Sequence, residues 1–400
     1  MEPFLNDING RYASDKKTIL SLCLANGGLS VADLSRELGT SIPKVTRILN
    51  EMMQEGYLTE LGKQESATGR KPVLYGLNPE AGYFVGIDVG MDSLSIVVTD
   101  FPGHTVHFQD DLPFTLKGSE DSVKEFCAFV LEHLRKEGID LDKVRAYGVN
   151  LTGRVNHDIG YSYSYFIGEE KPIRDLFQRE FKKFVSIEND SRAMAYGEYI
   201  TNFSHEEDTC LFLNVGWGLG MGMILDGKLF NGKNGFSGEI GHFPMLDNNV
   251  VCRCGKVGCL ETGASGIALQ RLIKEKLADG RASILSTRHN KGEEISLNEI
   301  LDAVKKEDVV AIECVEEIGT TLGRAVAGLI NVFNPGLVVI GGRLSITERY
   351  LMPPLKSAVN KYSLNLVSSN TVIKASKLGK GAGAIGASLL SKSRLLDSLG

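Results

Sequence analysis

Apolar residues recur at helical spacing three times between residues 14 and 75, after which the pattern changes to short extended runs. Ile19, Leu20, Cys23 and Leu24 predict a helix over about Asp15 to Ala25, ended by Asn26-Gly27-Gly28. Ser30 is placed to cap a short helix reaching Leu38, with Ala32, Leu34 and Leu38 turned inward. Gly39 closes that helix, Ser41 is placed to cap the next, and Pro43 fits its first turn. Ile42, Val45, Ile48, Leu49 and Met52 then follow helical spacing up to Gly56. Two strand candidates, Tyr57 to Leu61 and Val73 to Leu77, flank a polar, basic segment from Gly62 to Pro72.

That order is a helix, a helix-turn-helix and a β-hairpin wing. The third helix presents Ser41, Lys44, Thr46, Arg47 and Asn50 away from its core stripe, and such short polar and cationic groups reach base edges and phosphates in a major groove. Lys63, Arg70 and Lys71 fall in the wing, where they would grip neighbouring phosphates. Residues 11–75 hold nine Lys/Arg against seven Asp/Glu, a net of only +2, which also suits a small helical interaction domain. The charges are segregated, however: Glu51, Glu55 and Glu60 follow the reading end of the helix, whereas the bases lie at that end and in the wing. Double-stranded operator DNA is the expected partner.

From about residue 82 the pattern is α/β. Strands are predicted at Tyr83 to Val89, Ser93 to Thr99, Ala146 to Leu151, Phe184 to Glu188, Leu211 to Val215, Gly220 to Leu225 and Leu337 to Ile340. Helices are predicted at Ser122 to Glu137, Ser191 to Ile200, Ile267 to Leu277 and Val309 to Val332. The strand-turn-strand units around Gly90 and Gly218 look like internal duplicates, the pattern of a two-lobed, actin/hexokinase-like (ribonuclease H-like) α/β fold. The expected domains are 1–78, the winged helix-turn-helix with its linker; 79–190, a smaller lobe completed by a C-terminal helix over 381–400; and 191–380, a larger lobe.

Four hundred residues exceed one ordinary core, and 42% hydrophobic with 24% charged residues is a globular composition. No N-terminal segment has the make-up of a signal peptide, and the longest apolar stretch, Leu322 to Ile340, is interrupted by Arg324, Asn331, Asn334 and Pro335. A cytoplasmic protein without membrane insertion is expected. The net charge of −6 argues against a nucleic-acid coat and leaves a small DNA-reading module open.

Of seven cysteines, four are scattered (Cys23, Cys127, Cys210, Cys314) and three are packed into Cys252, Cys254 and Cys259. Intervening glycines let the three sulfurs converge, and His242 is the nearest upstream imidazole. Four such ligands make a closed tetrahedral set, so a structural zinc ion is expected rather than a catalytic one.

Gly238-Glu-Ile-Gly-His242 followed by Cys-x-Cys-Gly-x-x-Gly-Cys-x-Glu over 252–261 resembles the ROK family of repressors and sugar kinases, specifically its DNA-binding repressor branch. The resemblance runs from about residue 14 to the C-terminus and implies the sugar-kinase version of the two-lobed fold. It also implies a sugar site: Gly153 and Arg154 match the family's sugar-side loop, Asn189 its sugar-binding Asn, and Asp190 its catalytic base. Glu239, His242 and Glu261 match the remaining hydroxyl-binding set, with His242 serving metal and sugar through one ring nitrogen each. Carboxylates and an amide suit a ring of hydroxyls, since each hydroxyl both donates and accepts.

The kinases of that family carry Gly-Gly-Thr and Gly-Thr-Gly in their phosphate loops. Here the first loop reads Gly90-Met91-Asp92 and the second Gly216-Trp217-Gly218-Leu219-Gly220. Asp92 sets a negative charge where phosphate would lie, a repulsion of about 4 kcal/mol at 4 Å and an effective dielectric near 20. Trp217 replaces a small donor with a bulky ring. Gly341-Gly342 resembles the nucleotide-side glycine pair and equally suits a strand-to-helix turn. The reading is therefore a sugar-responsive transcription regulator, a repressor acting as a homodimer or homotetramer, whose effector is a sugar or sugar phosphate. The alternatives are an ATP- and magnesium-dependent hexose or aminosugar kinase with Asp190 as base, and a module released from DNA by a protein partner.

Overall fold

The computed structural model describes residues 12–63, 72–164, 171–204 and 207–398. They divide into two compact units, Met1–Glu188 with Ala387–Gly400, and Asn189–Gly386.

The first unit begins with α1 (Ala13–Asn26), β1 (Gly28–Ser30), α2 (Val31–Glu37), α3 (Ile42–Gln54), β2 (Leu58–Lys63) and β3 (Val73–Leu77). Ile19, Leu20, Leu34, Val45, Ile48, Leu49 and Met52 are all buried, so the predicted helical stripes face one another. Ser30 caps α2 in a full capping box with Asp33. Ser41 holds the N-cap position of α3 with extended backbone, but its side chain makes no capping hydrogen bond. That corrects the expected cap; Pro43 removes the second helical N–H, one of the two that a capping oxygen can take. The strands pair antiparallel in the order β1-β3-β2. The three-residue β1 was not anticipated: its Gly28 faces Gly76 of β3, and a Cβ on either would come within 2.8 Å of Leu61 Cδ1.

No free linker follows at residue 78. A turn over Pro79–Ala81 leads into β4 (Tyr83–Val89), and Tyr57, Leu77 and Ala81 share one buried cluster with Phe84, Phe101 and Ala146. The Phe101 ring lies 6.3 Å from that of Tyr57 and 6.0 Å from that of Phe84. After β4 come β5 (Ser93–Thr99), β6 (Thr105–Pro113), α4 (Glu120–Lys136), β7 (Val144–Leu151), a small hairpin of β8 (Val155–Asn156) and β9 (Tyr161–Ser162), α5 (Ile173–Phe181) and β10 (Phe184–Asn189). The sheet order is β10-β7-β4-β5-β6.

The second unit runs through α6 (Asp190–Asn202), β11 (Cys210–Val215), β12 (Leu219–Leu225), β13 (Lys228–Leu229), α7 (Gly266–Ala278), α8 (Ser286–Asn290), α9 (Leu297–Lys305), α10 (Val309–Phe333), β14 (Leu337–Gly341), α11 (Glu348–Tyr362), α12 (Asn365–Ser368) and β15 (Val372–Ala375). Its sheet order is β13-β12-β11-β14-β15. Each sheet is thus an antiparallel three-strand meander followed, on the far side of its first strand, by a parallel neighbour. The anticipated duplication around Gly90 and Gly218 is the start of these two matching sheets.

The last helix, α13 (Ala382–Asp397), begins in the second unit and from Ala387 onward belongs to the first. Gly148 permits its approach, since a Cβ there would sit 2.0 Å from the Ala387 carbonyl oxygen. Lys392 is buried and donates to the carbonyls of Phe101 and Pro102. No helix among the described residues is long and apolar enough to cross a membrane.

Candidate functional site

Two groups of residues carry chemistry. In the N-terminal module, Ser41, Thr46, Arg47 and Asn50 stand exposed on α3, and Lys44 is half-buried. Lys44 reaches Asp15 at 2.8 Å, Arg47 reaches Glu51 at 3.3 Å, and both cations lie over the Tyr12 ring at 5.7 and 5.8 Å. The two bases are therefore held by neighbours in the free protein. Lys63 ends β2, while Arg70 and Lys71 lie outside the described residues, as does the Lys63 side chain.

The second group surrounds four residues of β12. Gly220 and Gly222 let the start of α6 lie against the strand, for a Cβ at Gly220 would meet Ser191 Oγ at 2.2 Å and one at Gly222 would meet Ala195 Cβ at 2.3 Å. α6 opens with the predicted pair: the Asn189 side chain caps it through the Arg192 N–H, and its amide donates to Asp190 Oδ1 at 2.8 Å. Burial raises the Asp190 carboxyl above the ordinary range, opposed by hydrogen bonds from the Ser191 N–H and hydroxyl.

Gly238 and Gly241 fix the next pair. A Cβ at Gly238 would lie 1.9 Å from the Met221 carbonyl oxygen and one at Gly241 2.3 Å from that of Leu219. Only glycine permits this approach, and it delivers Glu239 and His242 beside the strand. Glu261 arrives from the far side and accepts the Leu219 N–H at 3.0 Å. Gly153 and Arg154 belong to the first unit, where Gly153 has φ of +87° and the Arg154 N–H donates to Ser164 Oγ.

His242, Cys252, Cys254 and Cys259 offer ligand atoms that all lie within 4.8 Å of one another. Cys252 Sγ is 3.6 Å from His242 Nδ1, and Cys254 Sγ is 3.6 Å from Cys259 Sγ. A tetrahedron with metal–sulfur bonds of about 2.3 Å has edges of about 3.8 Å, so the four residues fit one cation. Nδ1 faces the sulfurs, while Nε2 lies 3.8 Å from Glu239 Oε2. Burial pushes the Cys252 thiol up to about 12 and raises that of Cys259, whereas the Lys256 backbone N–H lowers that of Cys254.

The loop Gly216–Gly220 is knitted into its surroundings. The Gly216 N–H donates to Gly218, and the carbonyls of Gly216 and Trp217 accept from Gly266 and Ile267 at the start of α7. With the Leu219 N–H taken by the Glu261 carboxylate, the loop already holds an anionic group of its own. In the first loop Met91 is exposed and the Gly90 N–H donates to the Ser93 carbonyl. Sequence reasoning missed the Asn214 amide, which donates to Ser191 Oγ behind Asp190; no motif flags a lone Asn at a strand end.

The ROK family model matches residues 84–394, and a winged helix-turn-helix DNA-binding model matches residues 16–59. The chain belongs to the ROK family. A xylose repressor from Caldicellulosiruptor bescii is 30% identical over 375 residues, spanning 93% of this chain and 94% of that protein. The crystal structure of a ROK family transcriptional regulator, a homologue of the E. coli MLC protein, matches 99% of this chain and 98% of its own, with 26% identity and a TM-score of 0.80. A ROK family glucokinase from Streptomyces griseus, solved with glucose and AMPPNP, is matched over its whole length but spans 78% of this chain, with 26% identity and a TM-score of 0.69. The regulators thus share both the N-terminal module and the ROK body with this chain. This ROK protein is a sugar-responsive transcriptional repressor whose winged helix-turn-helix is its DNA-binding part.

Proposed function

We propose that the effector is a neutral sugar held by Asn189, Asp190, Glu239, His242 and Glu261. The observation that carries this reading is the Glu261 carboxylate on the Leu219 N–H. It leaves hydroxyl-binding groups gathered around one strand while an amide of the neighbouring phosphate-type loop is already satisfied by a carboxylate. Asp92 and Trp217 in the two loops support the same view, because phosphoryl transfer depends on a cradle of donors around a polyanion.

Zinc is the cation we assign to His242, Cys252, Cys254 and Cys259. Three thiolates with one imidazole suit that metal, all four positions come from protein, and its task is structural. It ties the segment 243–258 to His242, whose other nitrogen stays on the sugar side beside Glu239. The working unit is a homodimer or homotetramer, each pair of α3 helices meeting two operator half-sites. Sugar acts by favouring one state of the repressor over another, which requires different affinities for the two.

Fluorescence anisotropy on a duplex taken from the gene's own upstream region tests this reading. Xylose, named for the relative above, is the first effector to try, followed by glucose and N-acetylglucosamine. Release of DNA by one sugar without ATP is the expected result; DNA binding indifferent to every sugar, or sugar-dependent ADP formation, would contradict it.

A further inference from the structure

The exposed face of α3 carries an apolar feature that phosphate contacts do not use. Ile42 is 54% exposed in the first turn, while Val45, Ile48, Leu49 and Met52 of the same helix are buried. Thr46 and Asn50 follow it at four-residue steps, so the three side chains form one outward stripe. The Thr46 hydroxyl donates to the Ile42 carbonyl at 2.9 Å, and its methyl is the group left to offer outward. Lys44 and Arg47 are engaged beside this stripe by Asp15, Glu51 and Tyr12. The Asn50 side chain has no hydrogen-bond partner among the described residues, nor does the Ser41 side chain cap the helix. The N-terminal residues of a recognition helix are the ones that meet base edges in the major groove, where only thymine presents a methyl group.

We propose that Ile42, with the Thr46 methyl beside it, reads a thymine 5-methyl group in each operator half-site, and that this contact sets sequence preference. The inference rests on the winged helix-turn-helix being the DNA-reading part. A side chain at the first turn meets the methyl by apolar contact alone, so the contact discriminates thymine from uracil and cytosine without any hydrogen bond. Asn50, two turns further along the stripe, has the amide that pairs with adenine, which places A·T pairs under the whole stripe.

The test uses the full-length protein. Selection from a randomised duplex pool defines the preferred operator, and each thymine in it is then replaced singly by deoxyuridine. At one or more thymines per half-site, loss of the methyl should weaken binding about fourfold, the factor for removing one buried methyl group. Ile42→Ala should bind thymine and uracil equally at that position, Ile42→Val should fall between, and Asn50→Ala should keep the discrimination. Ile42 is mostly exposed, so its truncation leaves the fold standing, which an unchanged melting temperature would confirm. Thymines that all tolerate uracil, or an Ile42→Ala variant that still prefers the methyl, would overturn the proposal while leaving DNA reading intact. A selection that enriches no sequence would overturn both.

Discussion

Lys392 should make the folding stability of the first unit depend on pH in an alkaline window. Its ammonium is buried on α13, donates to the carbonyls of Phe101 and Pro102 at 3.3 and 3.1 Å, and feels the charge of Asp100. That carboxylate is already engaged by the N–H groups of Gly103 and His104 and by the His104 ring. Removal from water pulls the ammonium down from 10.5 to about 8, against the opposing pull of Asp100. Between those two values the unfolded chain binds more protons than the folded one. Stability therefore rises with pH across that window and gains nothing below pH 8. The full rise is about 3 kcal/mol. Lys392→Met keeps the length and apolar bulk of the side chain and has no charge to desolvate. Urea unfolding of both proteins at pH 7 to 10.5, followed by circular dichroism, isolates the effect, because every other titrating group is common to the two. Wild type should gain about 3 kcal/mol on the variant as pH rises. Parallel curves would refute the account of a buried, destabilised ammonium at this position.

Other perturbations separate the local arguments. Lys16, buried in α1, meets Glu55 at 2.5 Å, and the second oxygen of Glu55 is buried without a hydrogen-bond partner, so Lys16→Met should cost about 2 kcal/mol and melt the N-terminal module first; a neutral outcome in thermal unfolding would contradict it. Gly238→Ala places a Cβ 1.9 Å from the Met221 carbonyl oxygen at a φ of +87°, so a loss of about 3 kcal/mol together with effector binding is expected, measured by denaturant midpoint and calorimetric titration. Chelation should release segment 243–257, in which Cys252 is the only fully buried residue, and hydrogen exchange should speed up there while β11 and β14 stay protected; unchanged protection would argue against a structural cation.

The parts of the chain that were legible are those where one local signal dominates. Val73–Leu77, Tyr83–Val89 and Ser93–Thr99 have the anticipated ends because apolar runs there stop at glycine or polar turns. The convergence of Cys252, Cys254, Cys259 and His242 was readable because three cysteines at short spacing with glycines between them leave the backbone few ways to fold. What escaped obeys competing rules. β6 is an edge strand with mostly exposed residues, so little alternation marks it. α11 hides behind Pro353 and Pro354, which sit inside the helix where sequence rules place a break. α9 carried a usable sign, the capping box of Ser296 and Glu299, ahead of a short apolar stripe. The ion pairs that occupy Lys44 and Arg47 arise from α1 packing beside α3, a tertiary fact that helix periodicity does not contain.

In the function proposed above, sugar occupancy controls DNA release without nucleotide chemistry. One titration measures it directly: full-length protein on its operator duplex, read by anisotropy as sugar is added, with ADP followed in the same cuvette in the presence of ATP and magnesium. The expected result is a sugar that dissociates the complex to the same extent with and without ATP, and no ADP above background. Dissociation that requires ATP and tracks ADP formation would contradict it.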